Sequence, residues 1–166
     1  MGGGLGLGMS SYTFEAVGLT SDRGSRFAFM TDFKIGYAPT NQVEIVYSNK
    51  AAWFNDKIFF GGNVTFLNNI STAAVNYYFK PEGPTPFISG GLGLASLSEP
   101  FEDNSGINDI GNWAGFGFYV GGGYEFAKHF AVTLDLMYGL PQINDSGIDF
   151  TFNGFVPRVS VIATAF

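Results

Sequence analysis

Apolar residues alternate with small or polar ones along most of the chain. In residues 115–126, Phe116, Phe118, Val120, Gly122, Tyr124 and Phe126 alternate with Gly115, Gly117, Tyr119, Gly121, Gly123 and Glu125. A period of two belongs to a strand, whose successive side chains point to opposite faces. The pattern recurs. Phe27, Phe29, Phe33, Ile35 and Tyr37 alternate with Ala28, Met30, Asp32, Lys34 and Gly36. Val43, Ile45 and Tyr47 alternate with Glu44, Val46 and Ser48, and Val132, Leu134, Leu136 and Tyr138 alternate with Ala131, Thr133, Asp135 and Met137. No stretch shows a period of 3.6, so the chain is all-β. Eight strands are predicted, over 4–17, 26–38, 42–53, 64–80, 86–97, 113–127, 129–140 and 150–166.

The connections alternate in length. Those at 38–42, 81–86 and 127–129 are short. Those at 18–25, around 51–62, at 96–113 and at 141–149 are long and polar. Short turns at one end and long loops at the other are the plan of a bacterial outer-membrane barrel, with the short turns in the periplasm. An even strand number returns both chain ends to that side.

Composition sharpens this. The 166 residues suffice for one domain, 1–166, and are 46% hydrophobic, 17% aromatic and 13% charged. A soluble domain carries about 25% charged residues. With no cysteine, disulfides and thiolate metal sites are excluded. The net charge of −6, with its basic residues scattered singly, lacks the basic patch that nucleic-acid binding requires. No run of about 20 apolar residues offers a transmembrane helix. The opening MGGGLGLG has no charged segment followed by an apolar one, so it reads as a mature chain from which an export signal has been removed.

Alternation alone suits a soluble lipocalin-type barrel equally well, with its faces reversed. Charge decides between them. The small-residue face also carries Glu15, Asp32, Lys34, Glu44, Glu125 and Asp135, with Arg158. These few groups of both signs could pair across a narrow lumen but would solubilise nothing. Small residues fit the interior of eight strands, and Phe and Leu on every strand would overfill it. The apolar face therefore looks outward into lipid, where a sheet survives only when closed. The fold predicted is an eight-stranded antiparallel up-and-down transmembrane β-barrel. Tyr37, Tyr77, Phe79, Tyr124 and Phe126 would form an aromatic girdle at the short-turn end, and Trp53 and Trp113 one at the loop end.

The segments GGGLGLGM, TAAVNYYFKPEGPTPFISGGLGLA and YVGGGYEFAKHFAVTLDLMYG resemble the strand–turn–strand grammar of small outer-membrane barrels of the OmpA membrane domain, OmpX and OmpW type. The strand ending in an aromatic pair, then a Pro/Gly turn and a Gly-rich strand, is most similar to the OmpW subgroup. Phe166 is similar to the C-terminal aromatic that the barrel-assembly machinery recognises. The other apolar residues near the end fall in the opposite register, so a break before the terminus is expected, with Arg158 facing the lumen.

The resemblance implies a bacterial outer-membrane location, contact with outer-membrane lipids and lipopolysaccharide, assembly by that machinery, and a monomer. The inward charges are expected to form an ion-paired plug, because unpaired buried charges are costly. Lys34 would lie directly opposite Glu44, with Glu125 and Lys80 in the same layer, and Asp32, Asp135 and Arg158 nearer the middle. A water-filled ion path is the alternative. OmpW-type barrels imply a further role, sideways passage of small hydrophobic molecules, with Trp53, Phe54, Phe59, Phe60 and Trp113 as candidate lining. Some relatives modify lipid A with His and Ser, but the single histidine, His129, falls in a short turn at the wrong end. Ser89 and Ser160 are its conceivable partners, and no enzyme and no cofactor are expected. Glu99, Glu102, Asp103 and Asp109 supply oxygen ligands of the sort calcium takes, without the spacing of a known calcium loop. The function expected is a structural or envelope-interaction barrel that works through long extracellular loops.

Overall fold

The alternation resolves into eight long strands: β1 (Gly2–Ala16), β2 (Gly24–Thr40), β3 (Val43–Lys57), β4 (Asn63–Tyr78), β5 (Thr85–Ser98), β6 (Trp113–Ala127), β7 (Phe130–Asp145) and β8 (Ile148–Thr164). They are seen in a computed structural model that describes residues 1–16, 19–20, 23–57, 63–101, 113–145 and 148–165. Each strand pairs antiparallel with the next in sequence, and β1 pairs with β8, which closes the sheet. A two-residue piece, Leu19–Thr20, folds back on Glu15 and Ala16 at the end of β1.

Closure keeps one register from Gly2 opposite Thr164 to Ala16 opposite Phe150, interrupted only at Met9 and Ser10, opposite Pro157 and Val156. The chain ends extend the seam: the Met1 ammonium donates to Ala165 O (3.0 Å), and Ala165 N donates to Met1 O (2.7 Å). Close approach requires glycine on β1. A Cβ on Gly6 or Gly8 would collide with the carbonyl oxygens of Val159 and Pro157 across the seam. No break occurs as far as Thr164, because β8 holds one register against β1 and β7 over its described length. Phe166 lies outside the described residues.

The short turns are tight. Asn41 and Gln42 join β2 to β3, with Thr40 Oγ1 accepting from Gln42 N (3.2 Å) and Val43 N (3.1 Å). Lys128 and His129 join β6 to β7, and His129 takes the left-handed conformation (φ 74°) that such two-residue turns demand. At the other end the strands run further than expected. Residues 19–20, 24–25, 141–145 and 148–149, read from sequence as parts of long loops, are strand, and residues 102–112 lie outside the described residues. Above the lipid the outer sheet face meets water, so its apolar residues give way to polar ones while backbone pairing continues. Polar pairs mark this zone, among them Arg26–Asp56 (2.7 Å) and Asn144–Asp149 (2.7 Å).

The outer face is apolar. Phe27, Leu92, Leu134, Val159 and their neighbours point away from the barrel, as do Tyr37, Tyr77, Phe79, Tyr124 and Phe126 around the short-turn end. A charge placed there must displace lipid. Leu134, 62% exposed at mid-strand, is expected to cost about 2–4 kcal/mol of unfolding free energy when changed to Arg, against less than about 1 kcal/mol for Glu15→Arg at the loop end. Urea titration of the refolded protein in lipid vesicles measures both.

Candidate functional site

The inward-facing residues divide the lumen into two halves. Toward the loop end, rings fill it. Tyr12 stacks on Phe54 (centroids 5.4 Å apart) and on Phe152 (5.4 Å), and Phe54 stacks on Phe66 (5.5 Å). Phe14 meets Phe152 edge-on (5.3 Å) and reaches Trp113 (6.0 Å), which lies 6.4 Å from Phe150. Met30, Ile70, Leu97, Met137 and Val156 complete this buried cluster. The strands place these side chains in the same alternation that carries glycines lower down. Gly2, Gly4, Gly6 and Gly8 precede Tyr12 and Phe14 on the inner face of β1.

Below the rings sit four ionised groups. Lys50 Nζ donates to Asp135 Oδ2 (2.8 Å) and Asp32 Oδ1 (3.3 Å). The Arg158 guanidinium bonds the second oxygen of Asp32, lies 3.7 Å from Asp135 through Nε, and donates to Ser160 Oγ (2.9 Å). All four side chains are buried. Two cations and two anions leave no net charge, which is the condition for tolerating such a group away from water. Lys50 also lies over the Tyr119 ring, 4.6 Å from its centroid, a favourable cation–π contact.

A polar chain continues toward the short turns. The Tyr119 hydroxyl and Ser89 Oγ share a hydrogen bond (2.9 Å), Ser89 donates to Asn76 Oδ1 (2.5 Å), and Asn76 Nδ2 donates to Glu44 Oε2 (2.7 Å). Glu44 accepts also from Lys34 Nζ (2.9 Å) and the Tyr78 hydroxyl (3.2 Å). These groups line a cavity of about 620 Å³ at the short-turn end, together with Glu125, His129 and Thr133.

No protein-family model and no curated protein sequence matches the chain. Solved structures do. Neisserial surface protein A superposes with a TM-score of 0.56 at 14% identity, over 98% of this chain and 97% of that one. The outer membrane protein OprG from Pseudomonas aeruginosa matches at a TM-score of 0.44 and 14% identity, over 99% and 96%. The outer membrane enzyme PagL matches at 0.47 and 17%, over 95% and 99%. The chain has the fold of a small eight-stranded outer-membrane barrel. Nothing in the matches singles out the OmpW type.

Within this barrel, Asp32, Asp135 and Arg158 meet at mid-height, and Lys34 meets Glu44. The register differs from the expected one. Lys34 lies opposite Ser48, not Glu44. Strands β2 and β3 run on to a two-residue turn with an irregularity between Tyr37 and Thr40, and the long Lys34 side chain spans the offset. Lys50, not among the charges predicted for the lumen, continues the inward series Glu44, Val46, Ser48. Glu125 faces the cavity, and Lys80 stands at its mouth.

Two assignments are corrected. Glu15 is not a lumen residue, because it shares the outward alternation of Leu5, Leu7 and Met9 and is exposed at the loop end. Trp113 is not a girdle residue. It has the inward alternation of Gly115 and Tyr119 and is 6% exposed within the ring cluster. Trp53 does face outward, its indole N–H donating to Thr31 Oγ1 (2.9 Å), while Phe54 points inward. Trp53 therefore lies on the opposite face of the sheet from Phe54 and Trp113, which share the buried ring cluster. Phe59 and Phe60 lie outside the described residues, as do Glu102, Asp103 and Asp109. Among the described residues no group of three or more His, Cys, Asp or Glu could hold a metal ion.

The ion quartet generates a test. Lys50→Met leaves two buried carboxylates facing Arg158 alone and is expected to destabilise the barrel by about 3–5 kcal/mol. Adding Asp135→Leu restores neutrality, so the double variant should lose less than the sum of the two single changes. Equilibrium unfolding in vesicles supplies all the terms of that cycle. A second test concerns Gly121. A Cβ there would strike the Asp135 carboxylate and the Leu134 carbonyl, so Gly121→Ala should cost about 1–3 kcal/mol in the same assay.

Proposed function

We propose that this protein is a non-conducting barrel of the bacterial outer membrane, serving as a structural and envelope-interaction element through its loop end. The observation that carries the reading is the filled lumen. A layer of stacked rings lies above a neutral, hydrogen-bonded ion quartet. Small barrels of eight strands hold side chains where larger ones hold water. The likeness to a barrel named as a surface protein agrees with a role at the cell surface. No catalytic role is assigned. The Ser89 hydroxyl is engaged by Asn76 and Tyr119, Ser160 accepts from Arg158, and His129 sits in a turn at the end opposite the loops.

A narrow ion pore is the second reading, favoured by the cavity of about 620 Å³ that reaches in from the short-turn end. Conductance across planar bilayers separates the two. The unaltered protein is expected to pass no discrete current steps in salt solution. Removing two rings, Phe54→Ala with Phe152→Ala, should introduce steps by connecting the cavity to the far side. Discrete openings in the unaltered protein, abolished by Lys50→Met, would establish the pore instead.

A further inference from the structure

The cavity at the short-turn end has Tyr119, Lys50 and the two aspartates of the quartet as its floor, with the ring cluster beyond. Its inner charges do not cancel. In the quartet two cations meet two anions, and Lys34 is paired with Glu44 at 2.9 Å. Glu125 is left over. It lines the cavity half-buried and makes no hydrogen bond or ion pair with a described residue. Glu44 also has an oxygen to spare. Its donors, Lys34, Asn76 and Tyr78, all reach Oε2, and Oε1 accepts from no described residue. Glu44 on β3 and Glu125 on β6 are three strands apart in a ring of eight, so they stand on opposing walls of the cavity. Lys80, Glu82 and Lys128 stand exposed on the turns at its mouth, where water and salt screen them.

The uncompensated charge inside the cavity is therefore negative, and it comes with open acceptor oxygens. An ammonium group supplies the missing charge together with three donors and no acceptor. The walls say what carries it. Val46, Phe87 and Ile162 line the cavity among the polar groups, and they suit a methylene chain. A bare metal ion would leave those surfaces without a partner, and among the described residues no group of three or more ligating side chains could hold one. The volume of about 620 Å³ is that of a small-molecule site.

We propose that this cavity binds an aliphatic primary ammonium, its head between Glu125 and Glu44 Oε1 and its chain against Phe87 and Ile162. The head completes the charge balance that the quartet and the Lys34–Glu44 pair leave open. The chain covers the apolar part of the wall. The site needs only the cavity, so it stands apart from the question of conduction. A free amine and the ethanolamine headgroup of a phospholipid share this chemistry, and the test separates the two sources.

Backbone amide shifts of the isotope-labelled protein in phosphatidylcholine nanodiscs supply that test. n-Butylammonium is titrated beside butyrate and n-butanol, which keep the chain and change the charge. Butylammonium should give saturable shifts at Phe87, Ala131 and Thr133, while Tyr12, Phe54 and Phe152 in the ring cluster stay fixed. Half-saturation should come at a concentration roughly tenfold or more below that for butanol, the scale of one charged hydrogen bond. Butyrate should give no saturable shift. Glu125→Gln keeps the side-chain size and should raise the half-saturation concentration by about the same factor. Unchanged shifts away from the cavity show that the variant is folded, and Glu125→Ala serves if it is not. Glu82→Gln on the exposed turn should bind as the unaltered protein does. When phosphatidylethanolamine replaces part of the phosphatidylcholine, cavity shifts without added amine assign the headgroup as occupant, and their absence assigns a free amine. Equal half-saturation for butylammonium and butanol, a response that never saturates, unchanged binding in Glu125→Gln, or an equal loss in Glu82→Gln would overturn the proposal.

Discussion

Every backbone amide that enters hydrocarbon must bring its own partner with it. The other features of this barrel follow from that. A sheet can meet the demand only by joining its last strand to its first, and here Gly2–Ala16 lies against Ile148–Thr164 without a change of register. Closure in turn imposes two surfaces with opposite demands, one against acyl chains and one against a narrow interior. The two-residue period of the sequence records this division. The run of inward glycines on β1 belongs to the same constraint, because the seam leaves no room for a Cβ at Gly6 or Gly8.

The interior solves its own problem in two ways along its length. Near the loops, apolar rings satisfy themselves by contact. Near mid-height, charged groups are retained and must cancel. Asp32 and Asp135 are separated along the sequence from Lys50 and Arg158 by strands that each contribute one member, so the quartet ties β2, β3, β7 and β8 across the lumen. Such a cross-tie gains little net energy over apolar packing of the same volume, but removing one member is expensive. It constrains register more than it deepens stability: a one-residue slip in any of the four strands would turn its charge to the lipid.

Much of the fold was legible in the residues. The strand order, the even count, the outward apolar face and the short turns were read from alternation and from Pro, Gly and Asn. The upper ends of the strands were not, since pairing there continues beyond the zone where lipid enforces the pattern. Misplaced side chains have a simpler cause. Glu15 and Trp113 were assigned by chemical type, as a charge and as a tryptophan near a loop, whereas counting in twos from Leu5 and from Tyr119 puts each on the other face. Lys50 lay one step past the stretch whose alternation was counted. The aromatic filling of the upper lumen was hidden by a real feature of the lower one, the glycine-rich inner face, which was extended to the whole interior. The Lys34–Glu44 pair was foreseen while its register was not, since four carbons of lysine chain hide an offset that strand pairing exposes.

The unequal halves of the lumen also make the barrel a one-sided vessel. The cavity at the short turns opens on Glu44, Lys34 and the approach to the quartet, while stacked rings occupy the lumen toward the loops. The two mouths of the barrel are therefore unlike solvents: a molecule entering at the turns meets hydrogen-bonding and charged groups, and one arriving at the loops meets a hydrocarbon-like face of rings.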